Sequence, residues 1–508
     1  MTDIEVGKFT LESLTTGMYN DPEIVYREYI QNAVDSFDIA ISEGLLKLED
    51  CRIEIIVSEI RNEISIKDNG TGISKNAARK TLLDIGNSTK SHSSNRGFRG
   101  IGRLGGLSYC KKLSFCTSFQ GETEKTIISF DCEKLKEMLV PGQAEEYTLQ
   151  SVIAAVTEIQ VLSEQASAHY FIVKMEGVDD IASLLDIEQV RDYISQSAPI
   201  PFKDKFYWHG EIKKSFEKLS YQIAEYAVFV GDSFETLSQV FKPYKITFDV
   251  SARNGVVKDE IQSLAFYKIK NEDEVFAIGW YAETNFYGTV TESKIAGIRV
   301  RQGNILIGDA SLISPYFLES RFNNWCIGEI YVLSDKLIPN ARRDSFESNA
   351  TFLSFGNSIR ITIGVELSNK IRLLSKARNN PQQKVLRKTK KTLQDTQKIL
   401  DSGFNSSYEK EQVVKALEGA RKELYVIPKN APAEVLEEKT ELISQLTELT
   451  TEVEESKNYK VKKDITSNFS KSEKKIIQCI LEVLSKNFER DTVDSLYNEL
   501  LQELTKKG

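Results

Sequence analysis

The residues able to do chemistry lie in three short stretches near the start of the chain. The first is Tyr26-Arg27-Glu28-Tyr29-Ile30-Gln31-Asn32-Ala33-Val34-Asp35. At about 100° per residue, a helix places Glu28, Asn32 and Asp35 within about 60° of one another, with Ile30, Val34, Phe37 and Ile41 on the opposite stripe. An acid, an amide and an acid on an otherwise apolar helix cost desolvation unless a ligand or partner satisfies them. A solvated outer face is the plainer reading of that spacing. The second stretch is Asp68-Asn69-Gly70-Thr71-Gly72, at the end of an apolar run. Two glycines one residue apart let the backbone turn tightly and approach a ligand, and an aspartate there is a good single acceptor for an amino group. Asp-Asn-Gly is also a common turn. The third stretch, 86–106, is rich in Gly, Ser, Asn and Arg. Backbone N–H groups of Gly97, Gly100 and Gly102, just ahead of a helix start, would cradle phosphates. A flexible glycine linker is the alternative, and the apolar Leu104-to-Tyr109 continuation sits badly with it.

The surrounding pattern marks the elements that would hold these residues. Asp21-Pro22-Glu23 supplies a cap, a first-turn proline and an acid for a helix running to about Glu43, and Gly44 suits its stop. Residues 52–57 and 63–67 predict two strands with a tight turn at Arg61-Asn62, the second delivering Asp68. A helix is expected from Lys75 to about Ile85, strands at 126–130, 158–161 and 170–174, and a helix at 187–197. The proline pair in Ala198-Pro199-Ile200-Pro201-Phe202 reads as a boundary. Strand-like runs at 244–250, 274–281, 297–301 and 325–333 follow.

From about 366, glycine and aromatics thin out and Lys, Glu, Leu, Gln and Thr dominate. Leu442, Leu446, Leu449 and Val453 repeat at 4-3-4 spacing, a coiled-coil-like seam. Lys384, Arg387, Lys388, Lys390, Lys391 and Lys398 make a basic face opposed only by Asp395. A solvated surface explains that face, and contact with a nucleic-acid backbone is the sharper alternative. Amphipathic helices around 474–488 and 491–504 could dimerise.

A chain of 508 residues is too long for one core, so two to four domains are expected. No apolar run approaches the roughly 18 residues of a membrane span, and the first residues lack the basic-then-apolar order of a secretory leader. Six scattered cysteines without a C-x-x-C pair suit reduced thiols in the cytoplasm. The three histidines make no metal-ligand pair. A net charge of −8 argues against indiscriminate coating of DNA, though not against a local basic patch.

In that order and spacing, the three stretches resemble the ATP-binding domain of the GHKL superfamily. This group includes DNA gyrase, the ninety-kilodalton heat-shock chaperones, histidine kinases and MutL. Tyr26-to-Asp35 is similar to the chaperone version, and Gly97-Phe98-Arg99-Gly100 looks more like the MutL version. The resemblance spans roughly residues 15–200. It implies that Asn32 holds a Mg²⁺ bridging the phosphates of ATP and that Glu28 orients and deprotonates the attacking water. It also implies that Asp68 accepts a hydrogen bond from the adenine amino group, with Gly70 and Gly72 shaping the base pocket and Asp35 sharing the nucleotide-binding stripe. Gly97, Gly100 and Gly102 would wrap the phosphates, and Ser88, Thr89 and Lys90 would belong to a lid. A carboxylate one turn from a magnesium-holding amide suits water activation in phosphoryl transfer. The Gly-Thr pair usual near the base is missing; its matching place is Ala168-His169-Tyr170.

The segment Asn340-Ala341-Arg342-Arg343-Asp344 resembles the middle-domain catalytic loop of the heat-shock chaperones. That likeness implies that Arg343, with Arg342 as an added candidate, reaches the γ-phosphate across a domain boundary. As a plain sequence feature, two arginines after a buried strand are ordinary surface charge. The expected fold is α+β: a GHKL (Bergerat) α/β sandwich over 1–202, an α/β transducer over 203–365 and a helical dimerisation or partner region over 366–508. The expected activity is Mg²⁺-dependent ATP hydrolysis driving lid closure in a homodimeric, chaperone-like clamp. The alternative is a nucleic-acid-associated clamp of the MutL or microrchidia kind, including ATPases of prokaryotic defence. A client protein or a nucleic acid is open as the recipient of the motion. A histidine kinase is disfavoured, because the short run before the helix holds no phosphoacceptor histidine. A nucleotide-binding scaffold without turnover is disfavoured by Glu28.

Overall fold

The computed structural model describes residues 21–84, 102–140, 148–179, 182–253, 255–271, 274–460 and 470–506. The chain divides into two compact units, Met1–Ile371 and Arg372–Gly508.

In the first unit, helix α1 (Ile24–Ser42) follows a turn in which Asp21 Oδ1 accepts the Glu23 N–H at 3.1 Å. The Asp-Pro-Glu run thus precedes the helix rather than forming its first turn. Gly44, at φ +73°, takes the left-handed conformation beyond its C-terminus. Strands β1 (Arg52–Ser58) and β2 (Glu63–Asp68) pair antiparallel, with Asn62 at φ 50° in the connecting turn. Side chains alternate along a strand. Ile64 and Ile66 face the core, and Asp68 falls at the same parity and is buried too. The period that builds the core therefore turns a carboxylate inward.

Strands β3 (Lys112–Ser118), β4 (Glu124–Asp131), β5 (Thr157–Ser163), β6 (Tyr170–Glu176), β7 (Ala227–Gly231) and β8 (Ser238–Gln239) complete an eight-stranded sheet. Its order is β5-β4-β3-β6-β2-β1-β7-β8. β7 runs parallel to β1 and comes from beyond the proline pair at Pro199 and Pro201, so the sheet takes in chain on both sides of that pair. Tyr26, Ile30, Val34 and Phe37 of α1 share one core with Ile53, Ile55 and Phe115 of the sheet. Helix α2 (Lys75–Leu83) follows the Asp68–Gly72 turn. Helix α3 (Ile187–Ser197) is capped by the Asp186 carboxylate, which accepts from the Glu188 and Gln189 N–H groups.

The rest of this unit holds two smaller sheets. β9 (Thr247–Ala252), β10 (Gly255–Glu260) and β13 (Thr289–Val290) form one. The other contains β11 (Ser263–Asn271), β12 (Glu274–Glu283), β14 (Gly297–Gln302), β15 (Ile305–Ile307) and β16 (Ile327–Val332), in the order β11-β12-β16-β14-β15. β16 is buried along its whole length and precedes, by a short irregular stretch, the segment bearing Arg342 and Arg343.

In the second unit, helices α4 (Pro381–Ser402), α5 (Ser407–Tyr425) and α6 (Ala433–Glu455) pack around a shared core. Leu442, Leu446, Leu449 and Val453 are all buried in that core, so this seam joins helices of one chain. Helices α7 (Lys471–Asn487) and α8 (Arg490–Lys506) share a small cluster of Ile477, Leu481, Val493 and Tyr497. Acids from neighbouring helices meet part of the basic face of α4: Lys388 pairs with Glu423, and Lys390 with Glu438 at 2.7 Å. No described helix is long and apolar enough to cross a membrane.

Candidate active site

The polar stripe of α1 is not a solvated face. Glu28 is 8% exposed and Asp35 1%, and their neighbours Arg27 and Gln31 are buried as well. Asn32, one turn after Glu28, is part-exposed. Glu28 Oε1 accepts no hydrogen bond among the described residues. It lies 3.5 Å from Arg27 Nη2 and 3.9 Å from Arg343 Nε. A charge pair about 4 Å apart near a protein surface gains about 4 kcal/mol gross. Taking each ion out of water costs several kcal/mol. The cluster therefore adds little net stability, and it leaves a buried carboxylate oxygen with unused acceptor capacity. That is the state expected of a group completed by a ligand or a water.

Two of the three sequence stretches converge on this oxygen's surroundings. A Cβ on Gly102 would overlap the Glu28 carboxylate, so the backbone at 102 approaches the acid as only glycine allows. The turn that follows, Gly102–Ser108, is tied to α1 through Tyr29. Its hydroxyl accepts the Gly106 N–H and donates to the Arg103 carbonyl, both at 3.1 Å. Arg103 in turn donates to the Asp84 carbonyl at 2.6 Å, just past α2.

Asp68 stands at the end of β2 with its carboxylate accepting the Gly70 N–H at 2.9 Å. Burial pushes its pKa up to about 7, against the Gly70 hydrogen bond, which pulls the other way. Three elements hold the turn after it. Ser36 Oγ of α1 accepts the Thr71 N–H at 2.9 Å, and Thr117 Oγ1 of β3 accepts the Ile73 N–H at 2.7 Å. His169 Nδ1–H donates to the Gly70 carbonyl at 2.8 Å. Gly72 sits at φ +66°, and a Cβ there would strike the Ser118 carbonyl, while one on Gly70 would strike Ser36. His169 thus braces the turn from one side and Thr117 from the neighbouring strand.

The arginine segment reaches the same acid. Arg343 is buried and Arg342 is exposed. Of the two, the Arg343 side chain goes to Glu28, and Arg342 contributes its carbonyl, which accepts from Arg27 Nη2 at 2.9 Å. Asn340 Nδ2 donates to Asp344 Oδ1 at 2.5 Å, closing the loop on itself. Glu28, Asn32, Asp35, Asp68, Gly70, Gly72 and Gly102 thus belong to α1 and the two backbone turns packed against it, with Arg343 beside them. Ser88, Thr89, Lys90, Gly97 and Gly100 lie outside the described residues. Ser36, Tyr29, Arg27 and Thr117 were not singled out by the sequence, whereas His169 lies in the stretch marked there as the place of the missing Gly-Thr pair. Ser36 had a faint signal, since it directly follows Asp35; the others act through contacts that no spacing shows.

These groups fit an adenine nucleotide: a buried carboxylate for an amino group, glycine backbone shaped for close approach, and an acid with an unused lone pair. Residues 19–167 match the family model described as histidine kinase-, DNA gyrase B- and HSP90-like ATPase. That match supports a GHKL-type ATP-binding domain in this part of the chain. No curated protein matches the chain.

Proposed function

We propose that this protein is a Mg²⁺-dependent ATP hydrolase of the heat-shock chaperone-like GHKL type. The observation that carries this reading is the buried Glu28 carboxylate, set between Arg27 and Arg343 with an oxygen that accepts no hydrogen bond among the described residues. In this reading Glu28 orients the attacking water and takes its proton. Asn32, one turn on, would hold the magnesium ion, which would supply charge neutralisation of the phosphates. Asp68 accepts from the adenine amino group in a cleft shaped by Gly70 and Gly72. Gly97, Gly100 and Gly102 wrap the phosphates, Asp35 completes the stripe, and Ser88, Thr89 and Lys90 form the lid. Arg343 stabilises charge on the γ-phosphate, which makes turnover depend on how its loop sits against α1.

The domain assignment that goes with this reading is an ATP-binding domain over 1–202, whose sheet also takes in β7 and β8 from beyond it, a transducer carrying the arginine loop over 203–365, and a helical dimerisation or partner region over 366–508. A homodimeric clamp in the cytoplasm, closing its lid on ATP, is the working form. All six cysteines are free thiols, as a reducing compartment would keep them. A nucleic-acid-associated clamp is the second reading. It is favoured by the exposed Lys384, Arg387, Lys391 and Lys398 on α4. Phosphate release measured alone, with unfolded protein and with DNA or RNA tests both. Turnover without any addition establishes the ATPase, and stimulation by one class of addition selects the clamp. No turnover under any of these conditions would contradict the proposal.

A further inference from the structure

Arg343 is held in an awkward backbone conformation, and the element that holds it lies outside the ATPase motifs. Its φ of 57° is left-handed, a conformation that disfavours a non-glycine residue. Gly308, immediately after β15, donates its N–H to the Arg343 carbonyl at 2.8 Å. Gly308 is itself at φ +63°, and a Cβ on it would meet the Asp344 carbonyl at 2.5 Å. The β14–β15 hairpin therefore ends directly under the arginine loop.

The other end of the hairpin is anchored with unusual firmness. Gly303 and Asn304, at φ 55° and 63°, form its two-residue turn, of the kind that matches strand twist. Asn304 is fully buried and donates from Nδ2 to the Ala224 carbonyl at 2.7 Å. Arg301 of β14, also fully buried, donates from Nη2 to the Gln196 carbonyl of α3 at 2.8 Å and from Nε to Glu329 of β16. Lys242 donates to the same Glu329 at 2.7 Å. Burying such a cluster brings little or no stability over an apolar one, and here it ties β14 to α3 and to β16.

We propose that the β14–β15 hairpin, pinned at its turn by Asn304 and by Arg301 on Glu329, is the positioning element that sets Arg343 on Glu28. These residues act through Arg343 and touch no substrate. The proposal rests on the reading of Arg343 as part of an ATPase site.

The test is a double-mutant cycle in the full chain, with phosphate release for turnover and calorimetry for nucleotide affinity. Gly308→Ala removes the seat under Arg343. Asn304→Gly keeps the left-handed turn but loses the anchor to Ala224, and it carries the test if Gly308→Ala does not fold. Each is expected to lower kcat on the order of tenfold or more, as misplacement of a reacting group does, with nucleotide Kd little changed. In an Arg343→Ala background neither should cause a further loss. Full losses that persist in that background, or unchanged kcat in the single variants, would overturn the proposal alone. An Arg343→Ala variant with normal turnover would overturn the arginine-loop reading and this inference with it.

Discussion

Arg343 Nε stands 3.9 Å from Glu28 Oε1, and Arg27, 3.5 Å from the same oxygen, bonds the carbonyl of Arg342. The first described helix and a loop from the far end of the same compact unit thus meet at one carboxylate. Arg343→Ala is expected to lower kcat by on the order of 10³-fold with little change in nucleotide affinity. Arg342→Ala keeps the carbonyl and removes only an exposed side chain, so its turnover should stay within about twofold of wild type. Steady-state phosphate release on both variants makes the comparison. Equal losses in the two would mean that the loop, rather than the Arg343 guanidinium, matters.

Asp68 predicts opposite pH trends for stability and for binding. Its carboxyl, raised from 3.8 to about 7, holds its proton more tightly in the folded chain. Between those values the nucleotide-free protein loses stability as pH rises, by a few kcal/mol in all. The ionised form is the acceptor for an amino group, so nucleotide affinity should weaken as pH falls below about 7. Thermal melting and calorimetry from pH 5.5 to 8.5, for wild type and Asp68→Asn, check both. Asp68→Asn should flatten both trends and bind more weakly; unchanged affinity would remove Asp68 from the base pocket.

Gly102→Ala puts a methyl group where the Glu28 carboxylate now lies. The φ at Gly102 is not in the left-handed region, so the backbone itself accepts alanine. Turnover should fall by roughly 10-fold or more through displacement of the acid, with melting close to wild type. Full activity would show that the acid tolerates displacement and does not need this placement.

Much of this site was legible because local rules carry it. Helical spacing put Glu28, Asn32 and Asp35 on one stripe, and the strand over 63–67 delivered Asp68 to its end. Spacing could not show that the stripe is buried, because its cover comes from Gly102–Ser108 and from Arg343, both distant in sequence. Nor could it choose between Arg342 and Arg343; the left-handed φ of Arg343 decides which side chain turns inward. The helical tail shows the same limit. Its 4-3-4 leucine seam predicted a packed helix correctly, but only the tertiary structure shows that the partner helices belong to the same chain.

The central claim is that Glu28 acts on water beside a bound adenine nucleotide. Its most direct test is Glu28→Gln, which keeps the shape of the side chain and removes the base, measured for ATP binding by calorimetry and for single-turnover phosphate release. The predicted result is near-normal ATP binding with release slowed about 10²-fold or more. Wild-type release from this variant, or a wild-type protein that binds no ATP, would contradict it.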